Sequence, residues 1–283
     1  MQCRNFVAML LCLVLGEHFS VCILKNNVAK SKPSVTRLHP IEKRVIGGTP
    51  TSPNQYPFTV QFINFGALCG GSILSKKTVL TAAHCFDLNQ DKEEMIIVAN
   101  ARFVMDYRGT KYEVWDYKVH EGYLADDKES YSNDVAVILI QEDFEFNEWV
   151  QTAQLCTTSV WMRRNETFYA TGWGETEYGK SVLGNALSSA SLSFVDTRNC
   201  TEWNKLAVGA DQFCLHGDGE RDTCRGDSGG PILWRGLIVG ITSYGRRCGT
   251  APGMYVNVGY FHHWIQNAVT SLKQTFCLFE DES

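Results

Sequence analysis

The chain has 283 residues, 44% of them hydrophobic, and a formal net charge of −5. That is enough apolar sequence for a folded core, while the mild acidity leaves no clustered basic face for nucleic acid. Eleven cysteines are more than a reducing compartment usually keeps, so an oxidised, exported protein is expected.

Residues 1–20 read as a secretory signal peptide: Arg4 supplies the positive start, and residues 6–15 form an apolar run too short to span a bilayer. No later stretch is apolar enough to be transmembrane, so no membrane partner is expected. Residues 21–44 are basic and polar, carry Pro33 and Pro40, and read as an activation propeptide. From residue 45 the signals are those of an all-β protein. Runs at 58–63, 72–74, 78–80, 95–98, 135–140 and 236–241 are β-branched or aromatic, with Gly, Asn, Asp and Pro between them. They predict a barrel or a sandwich over residues 45–273. One long helix is expected near the C-terminus, where Phe261, Ile265, Ala268 and Leu272 recur at helical spacing with Trp264 beside them. Residues 274–283 are left as an acidic tail.

The chemistry centres on Asp222-Thr223-Cys224-Arg225-Gly226-Asp227-Ser228-Gly229-Gly230-Pro231. Gly226 and Gly229 allow a tight turn, which aims the N–H groups of Gly226 and Ser228 at one point beside the serine hydroxyl. An oxyanion hole needs that layout. The plain alternative is a Gly-Asp turn with an incidental serine. Two more segments weigh against it: Leu80-Thr81-Ala82-Ala83-His84-Cys85 and Asn133-Asp134-Val135-Ala136-Val137. A serine hydroxyl is a poor nucleophile near neutral pH and needs a base to take its proton. His84 titrates in the right range, and Asp134 would hold its tautomer and stabilise the imidazolium. The three segments together resemble the chymotrypsin/trypsin family of secreted serine endopeptidases. The order His84, Asp134, Ser228 is that family's order and not that of subtilisins or α/β-hydrolases.

The resemblance runs from residue 45 to about residue 273 and implies a chymotrypsin-like fold. Two antiparallel β-barrels would flank the cleft, with His84 and Asp134 from the first and Ser228 from the second, followed by a C-terminal α-helix. It makes Arg44 and Val45 an activation site: a cut after Arg44 would free an amino group on Val45 to pair with Asp227, a carboxylate costly to bury alone. It implies the disulfides Cys69–Cys85, Cys200–Cys214 and Cys224–Cys248. Cys22, Cys156 and Cys277 are left over, with Cys22–Cys156, Cys22–Cys277, Cys156–Cys277, a free thiol or an intermolecular bridge all open. Where many members carry another disulfide, Phe168 and Trp234 stand and would make an apolar contact.

Asp222 lies six residues before Ser228, where the family places the floor of the primary specificity pocket. An apolar side chain would leave that carboxylate unpaired, whereas lysine or arginine would neutralise it. Gly245 and Gly253 leave the walls open, Thr223 adds a hydroxyl, and Ser243, Tyr244 and Gly245 would pair with substrate backbone as an added strand. The loop from Cys248 to Gly253 is short, and Arg225 puts a positive charge at the cleft mouth. Neither a cofactor nor zinc is expected, and Ala101 at the start of the segment 101–113 argues against structural calcium. Asn165 and Asn199 begin glycosylation sequons. Surface or packing roles are expected for His18, His39, His120, His216, His262 and His263. Expected partners of this monomer are protein or peptide substrates, an activating protease and protein inhibitors. A secreted binding or regulatory module that keeps the protease fold is the competing reading.

Overall fold

The computed structural model describes residues 46–125, 131–163, 165–177, 179–217, 221–246 and 248–282. The expected signal peptide and propeptide, with Cys22, Arg44 and Val45, lie outside the described residues. Strands β2 (Thr59–Asn64), β3 (Ala67–Ile73), β4 (Thr78–Thr81), β5 (Met95–Ala99), β6 (Thr110–Val119) and β7 (Ala136–Ile140) close into an antiparallel barrel in the order β2-β3-β4-β7-β6-β5. A second ring follows from β8 (Thr167–Gly172), β9 (Ser188–Val195), β10 (Gln212–His216), β11 (Pro231–Trp234), β12 (Leu237–Tyr244) and β13 (Gly253–Asn257). Its order is β9-β10-β13-β12-β11-β8, closed by β8 against β9, with the two-residue β1 (Thr49–Pro50) added beside β9. Closure removes the open sheet edges that would otherwise recruit other chains.

The run 135–140 shows why the first barrel is stable. An antiparallel strand with one wet face alternates apolar and polar residues, but β7 is apolar and buried throughout. Its inner face fills the barrel and its outer face lies under the C-terminal helix, so Val135 to Ile140 share one core cluster with Phe261, Ile265, Ala268 and Leu272. Each such side chain contributes about 1.5–3 kcal/mol by leaving water.

That helix, α2 (His262–Glu282), does not stop at Lys273. Phe276 adds one more step to the stripe, buried against Trp115 with ring centroids 5.1 Å apart, and Lys77 Nζ lies 4.5 Å above its ring. The residues expected as an acidic tail are therefore helical to Glu282, because the packing face outlasts the apolar pattern first counted. A second helix, α1 (Thr197–Asn204), starts where Asp196 accepts the Asn199 N–H at 3.0 Å and ends in left-handed Lys205.

The three expected disulfides are present. Cys156 is also disulfide-bonded and Cys277 is a free thiol, which removes the Cys156–Cys277 option and puts the Cys156 partner outside the described residues. Phe168 and Trp234 share the second barrel's core. Between the barrels, Thr59 Oγ1 meets Thr171 Oγ1 at 3.2 Å and Gln212 Nε2 donates to the Tyr131 carbonyl at 3.1 Å, so the cleft walls are fixed to one another.

Candidate active site

His84 lies on a short 3-10 turn, Ala83–Phe86, which follows β4 and is fastened to β3 by Cys69–Cys85. Asp134 immediately precedes β7 and is fully buried. Two bonds join them: the His84 backbone N–H donates to Asp134 Oδ1 at 2.8 Å, and His84 Nδ1 lies 2.8 Å from Oδ2. A proton on Nδ1 leaves Nε2 with the lone pair that a base requires. Burial alone would lower the His84 pKa, but the Asp134 charge, its hydrogen bond and the Asp87 charge outweigh it and the net shift is upward. Burial alone would raise that of Asp134, yet the imidazole and the donors from His84 and Ser243 hold it low.

The third donor comes from the other barrel. Ser243 Oγ gives its proton to Asp134 Oδ2 at 2.5 Å, across 109 residues of sequence. The loop before Asp134 is held from the same side, since Asp211 Oδ2 accepts the Asn133 N–H at 2.9 Å. Tyr131 stacks on Tyr244 with centroids 4.4 Å apart, forming one wall of the cleft.

Ser228 sits in the turn leading into β11. Gly226 and Gly229 there have φ of 94° and 78°, values a side chain would strain. The turn abuts the first barrel: Gly70 N–H donates to the Ser228 carbonyl at 2.6 Å, and a Cβ added at Gly229 would lie 2.2 Å from Thr81 Oγ1. Thr81 is three residues before His84, so the serine turn and the histidine turn are neighbours across the cleft. No hydrogen bond joins Ser228 Oγ to His84 in this structure; in free enzymes such pairs are often long and tighten when substrate arrives. The N–H groups of Gly226 and Ser228 donate to no other backbone carbonyl among the described residues.

Asp227 points away from the cleft into the second barrel and is 1% exposed. It accepts the N–H groups of Gly174 at 2.8 Å and Cys224 at 3.0 Å. A Cβ on Gly172 or Gly174 would come within 2.4 Å of its oxygens, so both glycines are needed to seat it. Burial pushes its pKa up to about 6. Asp222 is 3% exposed and accepts N–H groups from Gly249 at 2.6 Å and Thr223 at 2.8 Å. Burial, with Asp227 nearby, pushes it up to about 7. Among the described residues no cation pairs with either carboxylate.

Around Asp222, the Thr223 hydroxyl lies 3.0 Å from Tyr255 Oη, and Cys224–Cys248 ties the serine loop to the opposite wall. A Cβ on Gly245 would meet nothing within 4 Å, whereas one on Gly253 would lie 2.7 Å from Tyr255 Oη. Of the sequons, Asn165 is exposed, while Asn199 Nδ2 donates to Asp196 in the cap of α1. Ligand atoms of Cys69, His84 and Cys85 lie within 4.8 Å of one another, but both sulfurs are spent in their disulfide. The roles of Ser243, Asp211, Gly172 and Gly174 were not anticipated. Only the serine left a signal in the sequence, through its place next to Tyr244.

The family model of trypsin matches residues 45–265. A Drosophila erecta protein named trypsin epsilon is 32% identical over 233 residues, covering 80% of this chain and 88% of its own length. A venom serine protease of Polistes dominula is 29% identical over 253 residues, or 83% of this chain and 87% of its own. The solved structure of neuropsin, a serine protease expressed in the limbic system of mouse brain, shares the fold with a TM-score of 0.71 at 24% identity, covering 78% of this chain and 98% of that one. The chain therefore belongs to the trypsin family and is a serine endopeptidase.

Proposed function

We propose that this protein is a secreted zymogen, activated by a cut after Arg44, that cleaves peptide bonds after arginine or lysine through a Ser228–His84–Asp134 triad and an acyl-enzyme. Ser228 Oγ attacks the scissile carbonyl while His84 Nε2 takes its proton. The carbonyl oxygen becomes an anion held by the N–H groups of Gly226 and Ser228. His84 then returns the proton to the leaving amine, and water repeats the sequence on the ester, in the order the family uses. The His84–Asp134 pair, satisfied on both oxygens, supports the catalytic part of the reading.

The specificity part rests on one observation: Asp222 is buried and, among the described residues, has backbone N–H donors alone. A buried carboxylate in that position gains most from a long cationic side chain, and an apolar one would leave its charge uncompensated. The zymogen part rests on Asp227, which is equally short of a cation and would receive one from the new Val45 amino group. With the Cys156 partner outside residues 46–282, the propeptide would stay tethered after the cut. No observation favours a binding module without catalysis.

The test compares protein cut after Arg44, uncut protein and cut Ser228→Ala on matched Arg, Lys and Phe peptide substrates. Arg and Lys turnover confined to the cut wild type is expected. Turnover of Phe alone would discard the Asp222 pocket, and full activity of the uncut chain would discard the zymogen.

A further inference from the structure

His120 directly follows β6 and continues its pairing with β7, since its backbone N–H donates to the Val135 carbonyl at 3.0 Å. Val135 N–H in turn donates to the Asn133 carbonyl at 2.8 Å, which closes a tight turn with Asp134 at its centre. The His120 ring reaches the other side of that turn. Its Nδ1 accepts the Gly122 N–H at 3.0 Å, and the Gly122 carbonyl accepts Asn133 Nδ2 at 3.0 Å. A Cβ on Gly122 would lie 3.0 Å from Asn133 Nδ2 and 3.4 Å from His120 Cε1, so the glycine permits this close approach. Asn133 itself is left-handed, with φ of 59°, a conformation asparagine takes more readily than most residues.

The ring is fixed and kept neutral. Phe261, just before α2, and Trp264, in its first turn, pack on it with centroids 5.1 and 4.8 Å away. Trp264 Nε1 also donates to Glu121 Oε2 at 2.7 Å. Burial lowers the His120 pKa and outweighs the upward pull of Glu121 and Asp211, so Nδ1 keeps the lone pair that the Gly122 N–H needs. From the far end of the same turn, Tyr123 Oη donates to Asp87 Oδ2 at 2.9 Å, and Asp87 N–H donates to the His84 carbonyl at 3.2 Å. Residues 120–123 thus reach both members of the His84–Asp134 pair.

We infer that His120 is a positioning residue for Asp134: its Nδ1 holds Gly122, Gly122 holds Asn133, and Asn133 fixes the backbone that aims the carboxylate at His84. Its effect on turnover rests on the proposed triad; its effect on the His84–Asp134 bond does not.

Three substitutions separate the acceptor from the ring. His120→Phe keeps a ring against Phe261 and Trp264 and loses the acceptor, whereas His120→Asn keeps an acceptor near Nδ1 and loses the ring. Asn133→Gly keeps the left-handed backbone and loses the bond to Gly122. In chain cut after Arg44, His120→Phe and Asn133→Gly should each lower kcat on an Arg substrate about fivefold at unchanged KM, the size of one neutral hydrogen bond, and His120→Asn should stay within about twofold. The second readout is the proton NMR signal of His84 Nδ1–H in full-chain Ser228→Ala, which needs no catalysis. The first two substitutions should speed its exchange with water about fivefold, and His120→Asn should not. A packing role alone predicts the reverse order, with His120→Asn the more damaged. That order, or unchanged exchange in both His120→Phe and Asn133→Gly, would overturn the inference. Faster exchange in those two with unchanged kcat would uphold it and overturn the triad role of Asp134 instead.

Discussion

The two halves of the cleft treat buried charge in opposite ways. On the first barrel's side, Asp134 is satisfied by His84 on both oxygens and by Ser243, and its pKa is held low. On the second barrel's side, Asp222 and Asp227 are equally hidden but among the described residues meet only backbone donors, and burial drives both upward, to about 7 and about 6. Backbone N–H groups soften the cost of burying an anion but do not cancel its charge. The catalytic half is thus finished within the chain, while the binding half carries two charges that an incoming cation would complete. Under the proposed function, Asp222 would receive the basic side chain of a substrate and Asp227 the amino group freed on Val45.

Breaking the finished half should cost most. Asp134→Asn leaves the fold in place but removes the charge that orients His84, and kcat should fall about ten-thousandfold, a magnitude taken from the family's triad. Steady-state kinetics on an Arg substrate measure it, and a loss under tenfold would show that His84 needs no such partner. Next comes Asp222→Ser, which removes the uncompensated carboxylate. kcat/KM for Arg substrates should drop by about three orders of magnitude, as loss of one partner of a buried ion pair implies. Turnover of a Phe substrate should hold or rise, and parallel losses on both substrates would mean that Asp222 is structural.

The same division explains what was legible beforehand. First-barrel strands such as Thr78–Thr81, Met95–Ala99 and Ala136–Ile140 are dense in Val, Ile and Leu, so local pattern finds them. Second-barrel strands are built differently. Ser188–Val195 alternates small polar residues with its apolar ones, and Pro231–Trp234 opens on a proline, so their identity depends on partners. The segments around His84, Asp134 and Ser228 could be read because each is a contiguous string. The Ser243 contact with Asp134 could not, since it joins distant residues only after the barrels dock. Gly172 and Gly174 look like ordinary turn glycines until Asp227 is placed against them.

Stability against pH sharpens the comparison further. For Asp227 the folded value of about 6 lies above the 3.8 of a free side chain, so the folded uncut chain binds this proton more tightly than the unfolded one. The resulting stabilisation is complete below pH 3.8 and is lost as pH rises through 6, to the extent of about 3 kcal/mol. Asp222 acts with the same sign up to about 7. In the cut chain a cation beside Asp227 would lower its pKa and remove that loss. Urea unfolding of cut and uncut Ser228→Ala at pH 4 and pH 7.5 should show the uncut chain losing more, and equal slopes would deny the pairing.

The smallest effect is the most diagnostic, because it tests whether the finished half depends on the other barrel. Ser243→Ala removes one of the three donors to Asp134 and leaves the two from His84. Its hydroxyl bonds a charged acceptor, so its loss should cost about 1.5–3 kcal/mol of support for the anion. Without it Asp134 holds its proton more readily, and its Oδ2 is freer to turn from Nδ1. kcat should fall about tenfold, the usual size of one lost bond to a charged group. KM for an Arg substrate should change little, because in the proposed function Ser243 would meet substrate through its backbone, which alanine keeps. A purely structural role would instead lower stability and leave kcat alone at temperatures where the variant is folded. A fall in kcat at unchanged KM, measured where the variant is fully folded, would place the hydroxyl in the charge network around His84, and would show that the first barrel's dyad is completed only when the second barrel closes on it.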